Sequence, residues 1–345
     1  MIYGATGYTG RLVAEEAASR GLKPMLAARN ADKLQALAKI LSLPYRTFDL
    51  DKPESIAAGL KGMKLVLHCA GPFSKTSAPM VSACLKAGVH YLDITGEIAV
   101  FENIFKRDEE AKKEKVTLLP GVGFDVVPSD CLASLLHERL PQATELSLAF
   151  APDGKPSPGT LKTAVESLGE GSRVRRGGKW KTIPMASLTR EVPFSHRKLS
   201  TTAIPWGDLS TAYRSTGIPD ITTYVATPPS LQRAYRLASK FSALGRFGIV
   251  QTALKKIIEA RVSGPSEEER NRGRVYMWGE VKDAKGNSAS ATLEVPEGYR
   301  FTVLAALACV DKILTNSSPT GAVTPSIAFG AEFLFQLPEI KFKWQ

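Results

Sequence analysis

Met1-Ile2-Tyr3-Gly4-Ala5-Thr6-Gly7-Tyr8-Thr9-Gly10 opens the sequence, with a glycine at every third position from Gly4. Apolar residues precede the glycines, and a run typical of a helix, residues 11–20, follows them. The order strand, glycine turn, helix directs free backbone N–H groups and the positive end of the helix dipole at a diphosphate. Glycine spacing alone is weak evidence, because a tight turn that binds nothing has the same spacing.

Each glycine of residues 4–10, the glycine loop, has an expected role. Gly4 allows the tight turn, Gly7 lets a cofactor approach the backbone, and Gly10 lets the helix pack closely on the strand. Only three residues precede the loop, whereas a strand usually has about 5–6, so we expect the chain to begin late, inside its first strand. The predicted diphosphate contacts come from the whole loop: Gly4, Ala5, Thr6, Gly7, Tyr8, Thr9 and Gly10.

A basic cluster follows the second predicted strand, residues 24–28. Arg29 and Asn30 end this strand, and Lys33 lies one helical turn further on. Enzymes selective for NAD usually carry an acid here, which binds the ribose hydroxyls. Arg29 and Lys33 instead suit a 2′-phosphate, Arg through its planar guanidinium. We therefore predict NADP as the cofactor, with contacts from Arg29, Asn30 and Lys33. The alternative is that the two cations only solvate a helix start.

Strand-like and helix-like runs alternate as far as residue 119. The later predicted strands are residues 45–49, 64–69, 90–93 and 116–119, and the predicted helices are residues 32–41, 53–60, 77–87 and 100–115. This alternation predicts an α/β fold with a Rossmann-like, doubly wound parallel sheet. In such sheets the ligand binds beyond the carboxyl ends of the strands, at the switch point.

Three uncommon segments follow the fourth, fifth and sixth strands: residues 71–73, 93–97 and 121–130. They are the best candidates for a site in this half, although ordinary turns use the same residue types. Further predicted cofactor contacts are Asp49, near the adenine, and Ala70, Gly71, Pro72 and Phe73.

The alternation stops near residue 150, and residues 151–228 are rich in Gly, Pro, Ser and Thr. We predict a Rossmann-like domain of residues 1–143 with 300–345, and a second, mixed α/β domain of residues 144–299. A hairpin signal at residues 283–287 lies between two strand-like runs, 275–282 and 290–295. Apolar helices at residues 301–314 and up to residue 337 are expected to return to the first domain.

The second domain contains two basic regions. The first is expected to be a solvated hairpin without a function, and its cations are Arg173, Arg175, Arg176, Lys179 and Lys181. The second, residues 231–261, predicts a helix pair with basic residues between apolar ones. Peripheral membrane contact stays open there, but core packing is the more common use of such helices.

The composition is that of an ordinary globular protein with a basic balance. Of 345 residues, 43% are hydrophobic and 23% are charged, and the net charge is +11. Such a charge suits nucleic acid, an anionic membrane surface or an anionic ligand. We expect no nucleic-acid partner, because zinc-finger spacing and long basic tracts are missing. NADP and an acidic or carrier-linked substrate would explain part of the excess.

Cysteines and apolar runs indicate the compartment. Cys69, Cys84, Cys131 and Cys309 form no C-x-x-C pair, which predicts reduced core residues in a cytoplasmic protein. No signal peptide is visible, and the longest apolar run, residues 301–310, is too short to span a bilayer. No metal site is predicted, because no His, Cys and Asp cluster has ligand spacing. The histidines are expected to be structural.

Motifs along nearly the whole chain resemble those of the saccharopine dehydrogenase-like oxidoreductases, and within them the trans-acting enoyl reductases. These motifs are YGATGYTG (3–10), AGPF (70–73), HYLDITGE (90–97), PGVGFDVVPSD (120–130), PWGD (205–208), STGIP (215–219), GPSEEER (264–270) and PEGY (296–299). The resemblance implies a Rossmann-like NADP domain, a mixed α/β insert and C-terminal helices that rejoin the first domain. The chain departs from the family pattern at its start, where we expect the first strand to be incomplete. Members of the family differ in activity, so the motifs do not specify a substrate.

Two functions fit this sequence. The first is an NADP-dependent oxidoreductase, and the resemblance implies that it reduces an enoyl, carbonyl or imine double bond in a small or acyl substrate. The alternative is a non-catalytic NADP-binding scaffold, associated with lipid or membrane. A homodimer is compatible with either function.

Acids and aromatic residues near the predicted crevice are the candidates for catalysis. Asp125 and Asp208 are the predicted catalytic acids, because charge that develops on the acceptor needs a nearby acid or donor. Phe124 and Trp206 are predicted to line an apolar substrate pocket. Helix capping is the alternative for both acids, and it is the favoured role of two others, Glu97 and Asp130.

Overall fold

The computed structural model describes residues 1–153, 171–239, 264–315 and 319–345. Its strands, in chain order, are β1 (Ile2–Tyr3), β2 (Leu26–Ala28), β3 (Tyr45–Thr47), β4 (Leu65–His68), β5 (His90–Asp93), β6 (Thr117–Leu119), β7 (Glu145–Pro152), β8 (Ser172–Arg176), β9 (Lys179–Ile183), β10 (Thr189–Pro193), β11 (Lys198–Ala203), β12 (Asp220–Ala226), β13 (Arg274–Lys282), β14 (Ser288–Pro296), β15 (Gly321–Ala322) and β16 (Lys341–Trp344).

Helices connect most of these strands. In chain order they are α1 (Tyr8–Ser19), α2 (Ala31–Leu41), α3 (Pro53–Leu60), α4 (Phe73–Ala87), α5 (Ile98–Phe105), α6 (Asp108–Lys113), α7 (Val127–Arg139), α8 (Asp208–Thr216), α9 (Pro229–Ser239), α10 (Glu267–Arg272), α11 (Gly298–Thr315) and α12 (Pro325–Phe329), followed by a 3₁₀ helix (Ala331–Gln336).

The chain divides into two compact units. The first contains Met1–Cys131 and Phe301–Pro338, and the second contains Leu132–Arg300 and Glu339–Gln345. The sequence prediction assigns residues 132–143, 300 and 339–345 to the first domain instead. Residues 339–345 lie with the second unit because β16 pairs with β14 in the sheet of that unit.

The first unit is built on a seven-stranded sheet with the order β15-β6-β5-β4-β1-β2-β3. All its neighbouring strands run parallel. The chain moves outward from β1 to β3 and then crosses back to β4, so the switch point lies between β1 and β4. The predicted Rossmann-like, doubly wound sheet is therefore confirmed.

The core of the first unit explains why its central strands read as unbroken apolar runs. All four residues of β4 are buried, as expected for a parallel strand that is covered on both faces. Val66 packs in one cluster with Met80 of α4 and Tyr91 of β5. All four cysteines are buried and free. This packing fixes the strand ends that carry the candidate site.

The second unit is built on a nine-stranded mixed sheet, with the main order β10-β11-β12-β7-β13-β14-β16. Strands β7 and β12 run parallel, and β13 and β14 form a long antiparallel hairpin. At its turn, Asp283 accepts the backbone N–H groups of Lys285 and Asn287. The predicted mixed domain and the predicted hairpin are both confirmed.

Two predicted helices have different limits. The predicted helix at residues 100–115 is two helices, α5 and α6, because the backbone leaves helical geometry at Arg107 (φ −93°, ψ 11°). The predicted helix up to residue 337 is α12 and the 3₁₀ helix. Gly330 separates them with φ +83°, which no helix accommodates.

The basic hairpin is less solvated than the sequence suggests. Strands β8 and β9 do form a hairpin, but Arg175 is only 4% exposed. Its guanidinium lies 4.2 Å from the ring centroid of Trp180 and 4.0 Å from that of Tyr213. Its Nε donates to the carbonyl oxygen of Leu209. The expectation of a solvated cation is therefore wrong for Arg175, which has a packing role.

No helix among the described residues is long and apolar enough to cross a membrane. Of the predicted helix pair at residues 231–261, the first part is α9, and residues 240–263 lie outside the described residues.

Candidate functional site

The glycine loop joins β1 to α1 with the geometry that its spacing predicts. Gly4 has φ +84°, and a Cβ there would lie 2.7 Å from the backbone nitrogen of Ala70. A Cβ on Gly10 would collide with the carbonyl oxygen of Gly4. These two glycines therefore allow the turn and the close packing of helix on strand.

Gly7 leaves open space at the start of α1. It is the residue before the helix, it carries no capping side chain, and the first turn contains no acid. Among the described residues, and leaving out its chain neighbours, a Cβ on Gly7 would have one atom within 4 Å, the Gly4 oxygen at 3.3 Å. The N–H groups of the first helical turn thus face a space that suits an anion.

The basic cluster at the end of β2 is exposed. Asn30 caps α2, because its Oδ1 accepts the backbone N–H of Lys33 at 2.9 Å. In the described part of the chain, the side chains of Arg29 and Lys33 form no hydrogen bond or ion pair, and both are exposed. Cations without a partner beside the glycine loop's sheet edge can bind a 2′-phosphate.

The end of β3 lies on the side of the first sheet where adenine is predicted to bind. The hydroxyl of Tyr3 donates to the carbonyl oxygen of Phe48 at 3.2 Å, and burial raises the pKa of Tyr3 to about 12. Asp49 is half-buried, and its Oδ1 accepts the backbone N–H of Asp51 at 2.7 Å. The contact of Asp49 with adenine stays a prediction.

Residues 70–73 follow β4 and contact the glycine loop through Ala70. The hydroxyl of Thr76 donates to the carbonyl oxygen of Ala70 at 2.6 Å, and Nε2 of His68 lies 3.0 Å from the same hydroxyl. Burial lowers the pKa of His68 to about 3. His68 is therefore neutral, and it donates from Nε2 to Thr76. No local sequence pattern indicates this pair, because the contact between the two side chains depends on how β4 and α4 pack.

Two acids of the loop after β5 tie its neighbours together. Asp93 is buried, and its carboxylate accepts the N–H groups of Thr95 and Gly121 and the hydroxyl of Tyr91. Burial raises the pKa of Asp93 to about 6. Glu97 accepts the N–H groups of Phe73 and Ser74 at 2.7 and 2.9 Å.

The favoured capping roles of two acids are confirmed. Glu97 caps the start of α4 from another loop, and Asp130 accepts the N–H of Ser326 at 2.8 Å, in the first turn of α12. Neither acid caps a helix that it precedes directly, so the sequence indicated the role but not the partner.

Asp125 lies against the loop after β5. A Cβ on Gly96 would be 2.6 Å from Oδ2 of Asp125. The side chain is half-buried, and burial raises the pKa of Asp125 to about 7. A carboxyl group with this pKa can hold a proton near neutral pH and release it.

Phe124, next to Asp125, is held by α11. Its N–H donates to the hydroxyl of Thr302 at 3.0 Å, and its ring packs edge-on against Phe301. The ring of Phe124 is half-buried. Within the first unit, the fold thus brings together the glycine loop, residues 70–73, residues 93–97 and residues 121–125.

Trp206 and Asp208 lie in the second unit. Trp206 is half-buried, with its ring centroid 4.9 Å from that of Phe150. Asp208 is the first residue of α8 and is 2% exposed. Asp125 is therefore the more accessible of the two candidate acids, and the roles of Trp206 and Asp208 stay predictions.

Comparison with known proteins supports a nucleotide-binding site at the glycine loop. Residues 1–119 match the family model of the saccharopine dehydrogenase NADP binding domain. A mouse protein named saccharopine dehydrogenase-like oxidoreductase is 31% identical over 251 residues, which cover 62% of this chain and 58% of the relative. A trans-acting enoyl reductase of Mycobacterium tuberculosis is 32% identical over 147 residues, which cover 40% of this chain and 35% of the relative. The chain thus spans about a third to just over half of the length of these relatives.

Among solved structures, the apo saccharopine dehydrogenase (L-Glu forming) of Saccharomyces cerevisiae has the same fold. The match has a TM-score of 0.65 at 11% identity, and it covers 100% of this chain and 99% of the other. The predicted NADP-binding domain is confirmed by the family match. Residues 1–119 are thus similar to the NADP-binding domain of saccharopine dehydrogenase.

Proposed function

We propose that this protein is an NADPH-dependent reductase of a polarised double bond, with an enoyl, carbonyl or imine group in a small or acyl substrate. The match of residues 1–119 to the family model of an NADP-binding domain supports the cofactor, and the partial match to a trans-acting enoyl reductase supports the reaction class. The observation that carries the proposal is the position of Asp125. It follows β6, lies against Gly96 of the loop after β5, and has a pKa of about 7.

The bound cofactor would supply a hydride to one atom of the double bond. Reduction also requires a proton on the other atom, and Asp125, with a pKa of about 7, can hold one near neutral pH. Its Oδ2 lies close to Gly96, so the carboxyl group has no room for a further side chain on that side. The proton returns to Asp125 from solvent, since the side chain is half-buried rather than enclosed.

The test is a screen for NADPH oxidation with enoyl thioesters, enals and cyclic imines, followed by Asp125→Asn on the best substrate. We expect the variant to lose about 10²–10⁴-fold in kcat, the usual contribution of a general acid, with NADPH affinity unchanged. The matched control is Asp220→Asn, at the start of β12, which should turn over normally. Binding of NADPH without turnover of any substrate would favour the scaffold alternative, and an unchanged kcat in Asp125→Asn would remove Asp125 from the mechanism.

A further inference from the structure

Glu97 is the one residue among those described here that connects the loop after β5 to the start of α4 through two hydrogen bonds. Its two oxygens accept separate N–H groups, those of Phe73 and Ser74. Pro72, the residue before α4, provides no side-chain cap of its own. The carboxylate therefore supplies both the acceptors and the negative charge that the positive end of this helix needs.

The segment that precedes these N–H groups is held from its other side as well. The hydroxyl of Thr76 binds the carbonyl oxygen of Ala70 at 2.6 Å and lies 3.1 Å from that of Pro72. His68 in turn orients this hydroxyl. Thr76 thus holds the carbonyl groups of Ala70 and Pro72, and Glu97 holds the N–H groups at the end of the segment. Gly71 and Pro72 are themselves exposed.

The position of residues 70–73 in the first sheet places them on the nicotinamide side of a bound cofactor. Ala70 contacts the glycine loop at Gly4, and β4 neighbours β1 on the side away from β2. Arg29 and the adenine side lie beyond β2, so residues 70–73 lie on the opposite side of the diphosphate. In a doubly wound sheet the nicotinamide half of a dinucleotide extends to this side.

We propose that Glu97 is a positioning residue for the nicotinamide half of NADPH: by holding the start of α4, it fixes residues 70–73 against that half. The inference rests on the proposed cofactor use but not on the proposed reaction. Loss of Glu97 leaves two N–H groups without an acceptor, so the first turn of α4 opens and residues 70–73 lose their fixed position. The adenine half, bound by the glycine loop and Arg29, keeps its contacts.

The experiment compares two ligands that share the adenine half. Dissociation constants of NADPH and of adenosine 2′,5′-bisphosphate are measured by calorimetry for the wild type, Glu97→Ala and Glu97→Gln. We expect Glu97→Ala to weaken NADPH about tenfold, the scale of one or two lost hydrogen bonds to a charged acceptor, and to leave the bisphosphate unchanged. Glu97→Gln keeps one acceptor oxygen, so its loss should be intermediate. The control is Glu109→Gln on the exposed surface of α6, which should bind both ligands as the wild type does.

The outcomes separate a positioning role from a general structural one. Equal weakening of both ligands, unchanged affinity for NADPH in both variants, or a Gln variant that does not fold would each overturn the inference. Circular dichroism shows folding directly. A wild-type protein that binds NADPH as expected but reduces no substrate would refute the proposed reaction while leaving this inference intact.

Discussion

The carboxylate of Asp125 packs against the backbone of Gly96, so closely that a Cβ on Gly96 would lie 2.6 Å from Oδ2. The loop after β5, which contributes Gly96, and the loop after β6, which contributes Asp125, therefore meet at this contact. Any larger residue at position 96 would have to move the acid. This contact gives a way to displace Asp125 without changing it.

Gly96→Ala is expected to lower turnover about tenfold or more, because small misplacements of a catalytic group are costly. NADPH affinity should change little, since the contacts of the glycine loop are untouched. The measurement is kcat in a double-mutant cycle with Asp125→Ala. If the glycine acts through the acid, Gly96→Ala has no further effect when Asp125 is already absent. An additive loss would mean that Gly96 acts through another group.

The pH profile of turnover should report the pKa of Asp125. Burial raises this pKa to about 7, so the acid is protonated below pH 7 and loses its proton above it. We expect kcat of the wild type to fall as pH rises through about 7. In Asp125→Asn the residual kcat should not show this decrease above pH 7. A decrease that persists in the variant would assign it to a different group.

The same raised pKa predicts how stability depends on pH. The folded-state pKa lies above the unfolded value of about 3.9, so the folded protein binds this proton more tightly. Asp125 therefore destabilises the fold progressively as pH rises from about 4 to about 7. Asp125→Asn should raise Tm relative to the wild type at pH 8, and not at pH 4. Thermal unfolding of both proteins at the two pH values tests the sign of this effect. Asp93 also has a raised pKa, but it is present in both proteins, so its contribution cancels in the difference between their Tm values.

Arg29→Ala should weaken NADP by roughly 1.5–3 kcal/mol, the scale of a hydrogen bond to a charged group, and barely affect NAD. The reason is that Arg29 is exposed at the end of β2, free to bind the 2′-phosphate that only NADP carries. Lys39→Ala, near the end of the same helix α2 and also exposed, is the matched control. Titration of both nucleotides against the three proteins decides, and a wild type that prefers NAD would contradict the assignment.

Gly7→Val should abolish nucleotide binding and leave the fold intact, because a side chain there meets little protein but fills the space in front of α1. Gly10→Ala, in contrast, should destabilise the fold before it affects nucleotide binding. Its Cβ collides with the Gly4 carbonyl oxygen, so the fold itself is destabilised. Circular dichroism and NADPH fluorescence together separate the two effects. Normal NADPH binding by Gly7→Val would show that the loop is only a turn.

Local patterns in the sequence predicted what depends on local physics. The glycine loop, the basic end of β2 and the β13–β14 hairpin are encoded within a few residues each, and the structure contains all three. Buried apolar runs likewise predicted β4 and its neighbours. Six of the seven strands of the first sheet could therefore be assigned from the sequence, whereas β15, only two residues long, was not predicted.

Contacts between distant residues could not be predicted in this way. The bonds from Glu97 to Phe73 and Ser74 join positions 23–24 apart, and that from Thr302 to Phe124 joins positions 178 apart. Arg175 resembles a surface cation in sequence, and only the rings of Trp180 and Tyr213 make its burial favourable. Strand β16 has two lysines and exposed aromatic surface, so its role in the second sheet follows from its pairing with β14 rather than from its own pattern.

During synthesis, β6 is made long before β15, the strand with which it pairs. Gly321 pairs with Thr117, and Thr117 also bonds to Pro319 across 202 positions. At about 5–20 residues per second, the ribosome needs roughly 10–40 s to make the intervening chain. For that period β6, an apolar strand that is fully buried in the finished protein, presents an unpaired edge. The nascent first unit is thus most exposed to aggregation while the second unit is being made, and a chaperone that covers strand edges would act in that interval.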